Sequence, residues 1–560
     1  MDNRQRRFSL QRVSSYDLYH RFPAESIGFS ILGPAREAPV TSPERRVTAA
    51  AGVVGGATLL SRLLGFVRDI FIAQLFGSGM AADAFFVALR IPNLLRRFMG
   101  EGTLSASFVP VFTGYWERGE KDEAWAMARS ATWLVTMILA ALVLTGMLGA
   151  WWLVAVIAPG FRALAKFGLT VSLTRVMFPF AFFMGVAALQ MGILNSLHHF
   201  FSPAIGPALF NVAVITSIFT LCPVIDPPVL GLAYGVVVGG ALQMLVQVPA
   251  LASRGFRPTR PKPLIHPGVV RVGQLLGPTV LGLAAMQINL VVDTLLASLM
   301  AEGSVSYLYY GNRLVQFPLG VFGIAMGIAV LPTLSAHAAR REMGRLIETL
   351  GFAIRLVLFI TIPATLGLII LRYPIVQTLF ERGKFTAAST QGAAFALLFY
   401  AVGLCAFAGV KVIVPAFYSM EDTATPMKIS IYAVGLNIVL SILLMGPLRH
   451  GGLALATSLA SLFNVVSLLV VFKNRVGRIG GRRILASTVK LVGSSAVMGL
   501  AAAWMAHRWV AQAATAAGRG AALATVILAG MAIYVGCSYA LRCEELTFLI
   551  RTLRERYAKT

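Results

Sequence analysis

Long apolar runs recur along the whole chain, separated by short polar segments. Each run is long enough to cross a hydrocarbon core of about 30 Å as a helix. The strict two-residue alternation of membrane barrel strands is absent from the sequence, so helices must satisfy the backbone within lipid. We therefore predict an all-α polytopic membrane protein with about 14 transmembrane helices. The predicted spans are residues 48–76, 81–114, 126–157, 170–198, 204–222, 228–252, 268–301, 304–337, 346–372, 388–419, 424–445, 452–473, 485–507 and 518–541.

The distribution of positive charge predicts how these spans are oriented. The 560 residues are 57% hydrophobic and carry a formal net charge of +25. Basic loops alternate with loops that lack lysine and arginine, as the positive-inside rule requires, so we expect the basic loops and both termini in the cytoplasm. This basicity indicates topology, and no nucleic acid partner is expected. The basic loops are 253–267, 338–345 and 473–484, and the loops without lysine or arginine are 77–82, 223–228 and 302–305.

Charged side chains inside the first two predicted spans indicate a polar interior. A charge near the bilayer centre costs at least about 2.5–3.5 kcal/mol, so it must face water or a partner. Because a helix advances about 100° per residue, Asp83, Arg90, Arg97 and Glu101 lie on one face. This stripe predicts a cationic cavity for an anionic ligand; interior ion pairs, or arginines reaching an interface, are the alternative. The other charged residues of this region are Arg62, Arg68, Asp69 and Arg96.

The chain contains a parallel duplication with an offset of about 223 residues, the separation of Arg90 from Arg313. Ser196 and Pro203 match Ser419 and Pro426 with the same spacing, and Gly231-Leu232-Ala233 recurs as Gly452-Leu453-Ala454. Two six-helix lobes repeated in this way form a transporter architecture with a site between the lobes. The expected regions are a disordered cytoplasmic extension (1–46), an N-lobe (47–253), a C-lobe (254–473), and helices 13 and 14 with a basic tail (474–560).

Motifs that would indicate an enzyme are missing from the sequence. The GxGxxA pattern at 77–82 joins two predicted spans and follows no strand, so it indicates a turn and not a dinucleotide site. HExxH, GxSxG and P-loop patterns do not occur. We therefore expect a transporter without a catalytic step.

Several longer motifs carry a specific resemblance to a known family. These motifs are SRLLGFVRD, ADAFF, RIPNLLRRFMGEG, SVSYLYYGNRLVQFPLGVFGIA, ERGKFT and VKVIVPAFYSMEDTATPMKI. With them the chain, from about Thr48 onward, closely resembles the MurJ (MviN) lipid II flippase family of the multidrug/oligosaccharidyl-lipid/polysaccharide exporter superfamily. The resemblance implies a flippase that moves an undecaprenyl-pyrophosphate-linked peptidoglycan precursor between leaflets of the bacterial inner membrane. It also implies a groove for the lipid tail at helices 13 and 14, and the cell-wall synthesis machinery as a partner.

The resemblance also implies roles for particular residues. The essential cavity arginines of the family fall on Arg62, Arg68, Arg96 and Arg313, and the acidic residue of its ADAFF motif falls on Asp83. Many members carry acidic residues beside the arginine that corresponds to Arg313, whereas this chain has Asn312 and Gln316. Asp293 resembles a sodium-binding position, with Asp422 as a second candidate; the alternative is that Asp293 pairs with an arginine. The sequence leaves the energy source open among a sodium or proton gradient, the membrane potential and consumption of the product downstream. No cofactor is expected beyond sodium as a coupling ion.

The sequence is also compatible with two other functions. The chain could export another polyprenyl-linked oligosaccharide, or it could be a drug/cation antiporter of the same superfamily. An antiporter for cationic substrates would favour an acidic cavity, whereas the predicted cavity is cationic.

Overall fold

The computed structural model describes residues 43–100 and 103–557, and every regular element in those ranges is helical. The chain divides into two compact units, residues 1–49 and 50–560. In the first unit the described residues belong to the beginning of a helix, so residues 43–46, predicted as part of the extension, are helical instead. The rest of the predicted extension, and Glu101, lie outside the described residues.

In residues 43–100 and 103–253, the structure contains ten α-helices and a short 3-10 helix (Pro159–Phe161). The helices are α1 (Pro43–Phe76), α2 (Met80–Gly100), α3 (Thr103–Glu117), α4 (Lys121–Leu148), α5 (Ala150–Ile157), α6 (Lys166–Met177), α7 (Pro179–Ser196), α8 (Phe201–Thr220), α9 (Pro228–Leu245) and α10 (Val248–Ala252).

Twelve α-helices follow in the described part of the chain, with π-helical turns at Leu319–Gly323 and Ala506–Val510. The helices are α11 (Pro267–Ser298), α12 (Ser304–Pro318), α13 (Ile324–Ala339), α14 (Met343–Ile370), α15 (Arg372–Phe380), α16 (Ala387–Val402), α17 (Leu404–Ser419), α18 (Ala424–Leu448), α19 (His450–Arg475), α20 (Gly481–Met505), α21 (Ala516–Ala540) and α22 (Glu544–Tyr557).

The helices confirm a polytopic membrane protein. Within the described ranges, nine stretches are long and apolar enough to cross a membrane, and α16 with α17, bent by 42°, brings the number to ten. The four other predicted spans correspond to α1, to α2 with α3, to α11, and to α12 with α13. These four carry the charged residues that the sequence singled out inside the spans. The nine stretches are Lys121–Leu148, Lys166–Ser196, Phe201–Thr220, Pro228–Ala252, Met343–Ile370, Ala424–Leu448, His450–Arg475, Gly481–Val510 and Ala516–Ala540.

Small residues bring the helices of this bundle close together. On α9, a Cβ added at Gly231 would lie 2.7 Å from the Cys222 backbone nitrogen, and one at Gly239 would lie 2.7 Å from the Phe210 ring. A Cβ at Gly235 would overlap the Ser217 side chain of α8. Close approach of this kind lets helices associate in lipid, where the hydrophobic drive is missing.

Candidate functional site

A buried aspartate links two arginines from distant parts of the sequence. Asp69, on α1, is fully buried and accepts hydrogen bonds from its neighbour Arg68 at 2.7 Å (Nη2) and 3.0 Å (Nε). Its second carboxylate oxygen lies 2.6 Å from Nε of Arg313, on α12. The structure therefore brings the predicted arginines Arg68 and Arg313 together around one negative charge. We call these three residues the arginine cluster.

Two neutral side chains hold the arginine cluster in place. Nη1 of Arg68 donates to Oδ1 of Asn211 at 3.1 Å, and Asn211 in turn donates to the Ser61 carbonyl at 3.0 Å. The hydroxyl of Tyr309 donates to Asp69 at 3.1 Å, while its ring stacks on Phe86 with centroids 3.8 Å apart. Charge-assisted hydrogen bonds of this kind are short and fix the geometry of the guanidinium.

Two glycines make room for arginines across the site. Gly65 on α1 lies so close to Arg313 that an added Cβ would be 2.7 Å from Nη2. Gly320, in the π-helical turn at Leu319–Gly323, lies so close to Arg62 that an added Cβ would overlap the guanidinium. Single π-helical turns inside α-helices are frequent at functional sites. Each half of the chain therefore provides a glycine that receives an arginine of the other half.

The side chains of the α2 stripe run along α11. Arg90 makes a short contact with the Thr294 hydroxyl, and Arg97 donates to Oε1 of Gln287 at 3.4 Å. Moving seven residues forward on α2, from Arg90 to Arg97, corresponds to moving seven residues backward on α11, from Thr294 to Gln287. The two helices are therefore antiparallel, and the stripe lies between them. The predicted shared face of Arg90 and Arg97 is thus confirmed, but it faces a neighbouring helix. Arg96 also donates to Asn93 of its own helix at 2.9 Å.

Asp83 occupies a different position from the one predicted. Its side chain is buried, and Oδ1 accepts hydrogen bonds from the Ser306 backbone at 3.0 Å and from the Ser306 hydroxyl at 2.7 Å. Oδ2 accepts from the Gly303 backbone at 2.8 Å and lies 3.4 Å from Nζ of the buried Lys166. Protein donors surround the carboxylate, so in this conformation it joins α2 to the N-terminus of α12 instead of facing a cavity. An aspartate at that position is also favoured by the helix dipole.

Further contacts join the same two parts of the chain beside Asp83. The Lys384 backbone donates to the Gln74 carbonyl at 2.9 Å, and the Ser78 hydroxyl donates to the Ser389 hydroxyl at 2.7 Å. Gly77, with a φ of +64°, lies so close to the Lys384 carbonyl that any side chain would overlap it. Gly77 and Ser78 belong to loop 77–82 and Gly303 to loop 302–305, both without lysine or arginine, whereas Lys384 lies on a basic loop between α15 and α16. We call these contacts, with Asp83, the interhalf seal.

The two sodium candidates lie apart. Asp293 on α11 accepts hydrogen bonds from Asn289 at 3.2 Å and from Asn437 of α18 at 3.0 Å. Asp422 precedes α18 and pairs with Arg475 at 2.7 Å. Hydrogen bonds from Thr425, together with the charge of Arg475, lower the pKa of the Asp422 carboxyl. Asp422 and Asn437 are about four helical turns apart along the chain, so the structure does not bring Asp422 to Asp293.

Sequence reasoning missed three members of this site: Asn211, Tyr309 and Lys166. Tyr309 lies four residues before Arg313, the spacing of one helical face, which is a signal that could have found it. Asn211 and Lys166 reach the site only because α8 and α6 pack beside α1 and α2, so no local pattern marks them. The sequence marks Asp69 as a charge inside a span, but its role as the shared partner of two arginines is visible only in the structure.

Comparison with known proteins gives one consistent result. The sequence model of the family described as Lipid II flippase MurJ matches residues 72–517. The chain is 38% identical over 433 residues to the probable lipid II flippase MurJ of Vibrio cholerae serotype O1, which covers 76% of this chain and 82% of that protein. It is 35% identical over 517 residues to the probable lipid II flippase MurJ of Rhizobium tropici, covering 90% and 96% of the two chains.

Solved structures give the same result for the fold. The structure is similar to that of a lipid II flippase MurJ in an inward closed conformation, with a TM-score of 0.73, 26% identity, and coverage of 87% of this chain and 98% of that one. An inward-facing multidrug resistance MATE family transporter of the MOP superfamily has a TM-score of 0.61 at 18% identity, covering 78% and 98%, and shares the fold. The family match and the relatives extend over most of the sequence. The chain therefore belongs to the lipid II flippase MurJ family.

Proposed function

We propose that this protein is a flippase that moves lipid II from the inner to the outer leaflet of the bacterial cytoplasmic membrane. Membership of the family supports the substrate, and the arginine cluster is the observation that supports the chemistry. The substrate carries a pyrophosphate, and planar guanidinium groups bind phosphate oxygens through paired hydrogen bonds while remaining charged. No covalent step is required of the protein.

The charges of the site favour an anion. Asp69 is shared by Arg68 and Arg313, so one positive charge of the pair is not neutralised within the arginine cluster. The side chain of Arg313 is 33% exposed and that of Arg68 is 13% exposed, which makes Arg313 the more accessible guanidinium. Arg62 lies against Gly320, seven residues after Arg313, and adds a further positive charge. We propose Arg62, Arg68, Arg96 and Arg313 as pyrophosphate ligands, with Arg90, Arg97 and Glu101 as further members of the substrate site.

The interhalf seal supports transport by alternating access. Asp83, Ser78 and Gln74 on one side, and Ser306, Ser389 and Lys384 on the other, hold two halves of the chain together at one end. A substrate leaving at that end requires these contacts to separate. We propose that the seal closes the outer end while the head group enters from the cytoplasmic leaflet, and that it opens when the halves rock.

We propose an architecture of 14 membrane helices in two lobes of six, with α20 and α21 as helices 13 and 14. The paired glycines of the duplication support it. Gly231, in the first turn of α9, packs against Leu221 and Cys222 just after α8. Gly452, in the first turn of α19, lies so close to the Leu444 carbonyl of α18 that a Cβ would overlap it. Equivalent hairpins thus pack at equivalent residues. We propose that the basic loops and both termini lie in the cytoplasm. We also propose the cell-wall synthesis machinery as a protein partner.

We propose sodium coupling at Asp293. Sodium ions in transporters are held by oxygen ligands, including neutral ones. Oδ1 of Asn437 is buried and accepts no hydrogen bond within the described part of the chain, and the same holds for the hydroxyl of Ser441, one turn further along α18. Within residues 43–100 and 103–557, no three His, Cys, Asp or Glu side chains gather as a metal site. A site formed by one carboxylate and neutral oxygens suits a monovalent cation better than a divalent one.

The proposed function is tested by genetic complementation. Expression of this chain should restore growth and rod shape to bacteria depleted of their own lipid II flippase, since a replacement must supply precursor at the outer leaflet. A variant with alanine at Arg68 and Arg313 should be present in the membrane at normal levels and fail to restore growth. Failure of the unmodified chain, when it is inserted at normal levels, would contradict the proposal.

A further inference from the structure

A basic cavity lies where α14 begins, α19 ends and α20 begins. Its volume is about 1310 Å³, and it shares no residue with the arginine cluster or the interhalf seal. Among the described residues that line it, Glu348 is the one carboxylate. The cationic side chains that line it are Arg355, Lys473, Arg478, Arg482 and Arg483. The cavity is therefore strongly electropositive.

Most of this positive charge has no acidic partner. Arg355 is paired with Glu544 at 3.1 Å and with Glu545 at 3.3 Å, both on α22. In contrast, the side chains of Lys473, Arg478, Arg482 and Arg483 form no ion pair or hydrogen bond within the described ranges. Like charges gathered in one cavity repel each other, and a bound anion would relieve that repulsion.

The backbone adds to the positive field. Helix α20 begins after Gly480, whose φ is +69°, and no side chain caps this end of the helix. The positive end of the helix dipole therefore lies beside Arg482 and Arg483. Ile479 approaches α14 closely, since a Cβ added at Gly351 would lie 3.0 Å from the Ile479 carbonyl oxygen. That contact holds the loop before α20 against the wall of the cavity.

The other walls of the cavity are apolar and lead to the outer face of α20. Ile347, Phe352 and Leu485 line the cavity. Leu485 is 65% exposed, and Val489, one turn further along α20, is 64% exposed. Because α20 belongs to a stretch that is long and apolar enough to span a membrane, these exposed side chains face lipid. A soluble anion would contact only the charged end of the cavity. An anionic lipid would contact that end with its head group and the apolar walls with its acyl chains.

We propose that this cavity binds an anionic glycerophospholipid. Its phosphate lies among Arg478, Arg482 and Arg483, and its acyl chains follow Leu485 and Val489 into the bilayer. Basic pockets between membrane helices on the cytoplasmic side bind anionic head groups in this way. The proposal does not depend on which substrate the protein transports.

Native mass spectrometry of the purified full-length protein in detergent tests the proposal. Phosphatidylglycerol should bind the unmodified protein with a stoichiometric first adduct, and phosphatidylcholine should not. The triple variant Arg478→Gln, Arg482→Gln, Arg483→Gln should lose at least about tenfold in apparent affinity for phosphatidylglycerol, because each cation near the head group contributes. Inorganic phosphate at the same concentration should not displace the lipid, since it lacks the acyl contacts.

A matched variant separates this cavity from general surface charge. Arg257, Arg260 and Arg340 are equally exposed arginines outside the cavity. Their triple replacement by glutamine removes the same charge and should leave phosphatidylglycerol binding within about twofold of the parent. Equal binding by the cavity variant and the parent would overturn the proposal, and so would an equal loss in both triple variants. Displacement by inorganic phosphate would also overturn it, in favour of a soluble anion.

Discussion

Replacing Asp83 by asparagine should release the interhalf seal. The substitution keeps the shape of the side chain but removes its charge and puts an amide group at one of its two oxygen positions. If that position is Oδ2, the bonds from Gly303 (2.8 Å) and Lys166 (3.4 Å) are both lost, while Oδ1 still accepts from Ser306. A hydrogen bond to a charged group contributes about 1.5–3 kcal/mol, so two lost bonds destabilise the sealed state by roughly 3 kcal/mol or more. A change of this size shifts the equilibrium roughly a hundredfold toward the open seal.

Disulfide cross-linking across the seal measures this shift. The hydroxyls of Ser78 and Ser389 are 2.7 Å apart, so cysteines at these two positions should cross-link when the seal is closed. The experiment requires a background in which the four native cysteines are replaced by alanine. Rapid cross-linking is expected in the parent and much slower cross-linking in Asp83→Asn. The native cysteines are Cys222, Cys405, Cys537 and Cys543.

The exposed residue Asp122, in the first turn of α4, provides the matched control. Asp122→Asn makes the same chemical change away from the seal and should cross-link at the rate of the parent. If Asp83→Asn, present at normal membrane levels, also cross-linked at the rate of the parent, the role given to Asp83 in closing the seal would be refuted.

Three further predictions follow from the geometry. Gly320→Ala should reduce flipping at least tenfold by displacing Arg62. The control Gly56→Ala should not reduce it, because a Cβ there meets nothing within 4 Å. Equal flipping by both variants in reconstituted vesicles would argue against this position of Arg62. Asp293→Asn should abolish any dependence of transport on sodium without lowering protein levels, and transport that is indifferent to sodium in the parent would remove the coupling proposal. Cysteines replacing Arg260, Arg340 or Arg478 should resist an impermeant thiol reagent in intact cells while one at Val224 reacts, and the reverse labelling would invert the topology.

The helical fold could be predicted because its cause is local. Apolar runs of about twenty residues form helices because the backbone in lipid must make its hydrogen bonds within the chain. The alternation of basic loops predicts how these helices are oriented across the membrane. The ends of the elements were less predictable. The structure has a break at Gly149 between α4 and α5, and a helix, α22, within the predicted tail. Such features depend on packing against neighbours: on α22, the Phe548 ring packs on Phe352 with ring centroids 4.7 Å apart.

The charged residues of the site could be located from the sequence, but their contacts could not, and Asn211, Tyr309 and Lys166 gave no signal strong enough to be included. Periodicity placed Arg90 and Arg97 on one face, and the structure confirms that face. Periodicity alone could not distinguish a cavity from a packed interface, because both require polar partners inside the bundle. The partner of Asp83 is Gly303, which precedes α12 and lies 220 residues further along the chain. Only the tertiary fold reveals this contact.

Binding and flipping of lipid II by purified variants in reconstituted vesicles test the central claim, that the arginines hold the pyrophosphate. Alanine at Arg62, Arg68, Arg96 or Arg313 should weaken binding by roughly tenfold to a hundredfold for each charge-assisted bond lost. Lysine should restore only part of the activity, because a point charge cannot reproduce the paired contacts of a guanidinium. Correct folding is checked by cross-linking of the cysteine pair at Ser78 and Ser389, which the variants should retain. Well-folded alanine variants at all four positions that bind and flip lipid II like the parent would contradict the account.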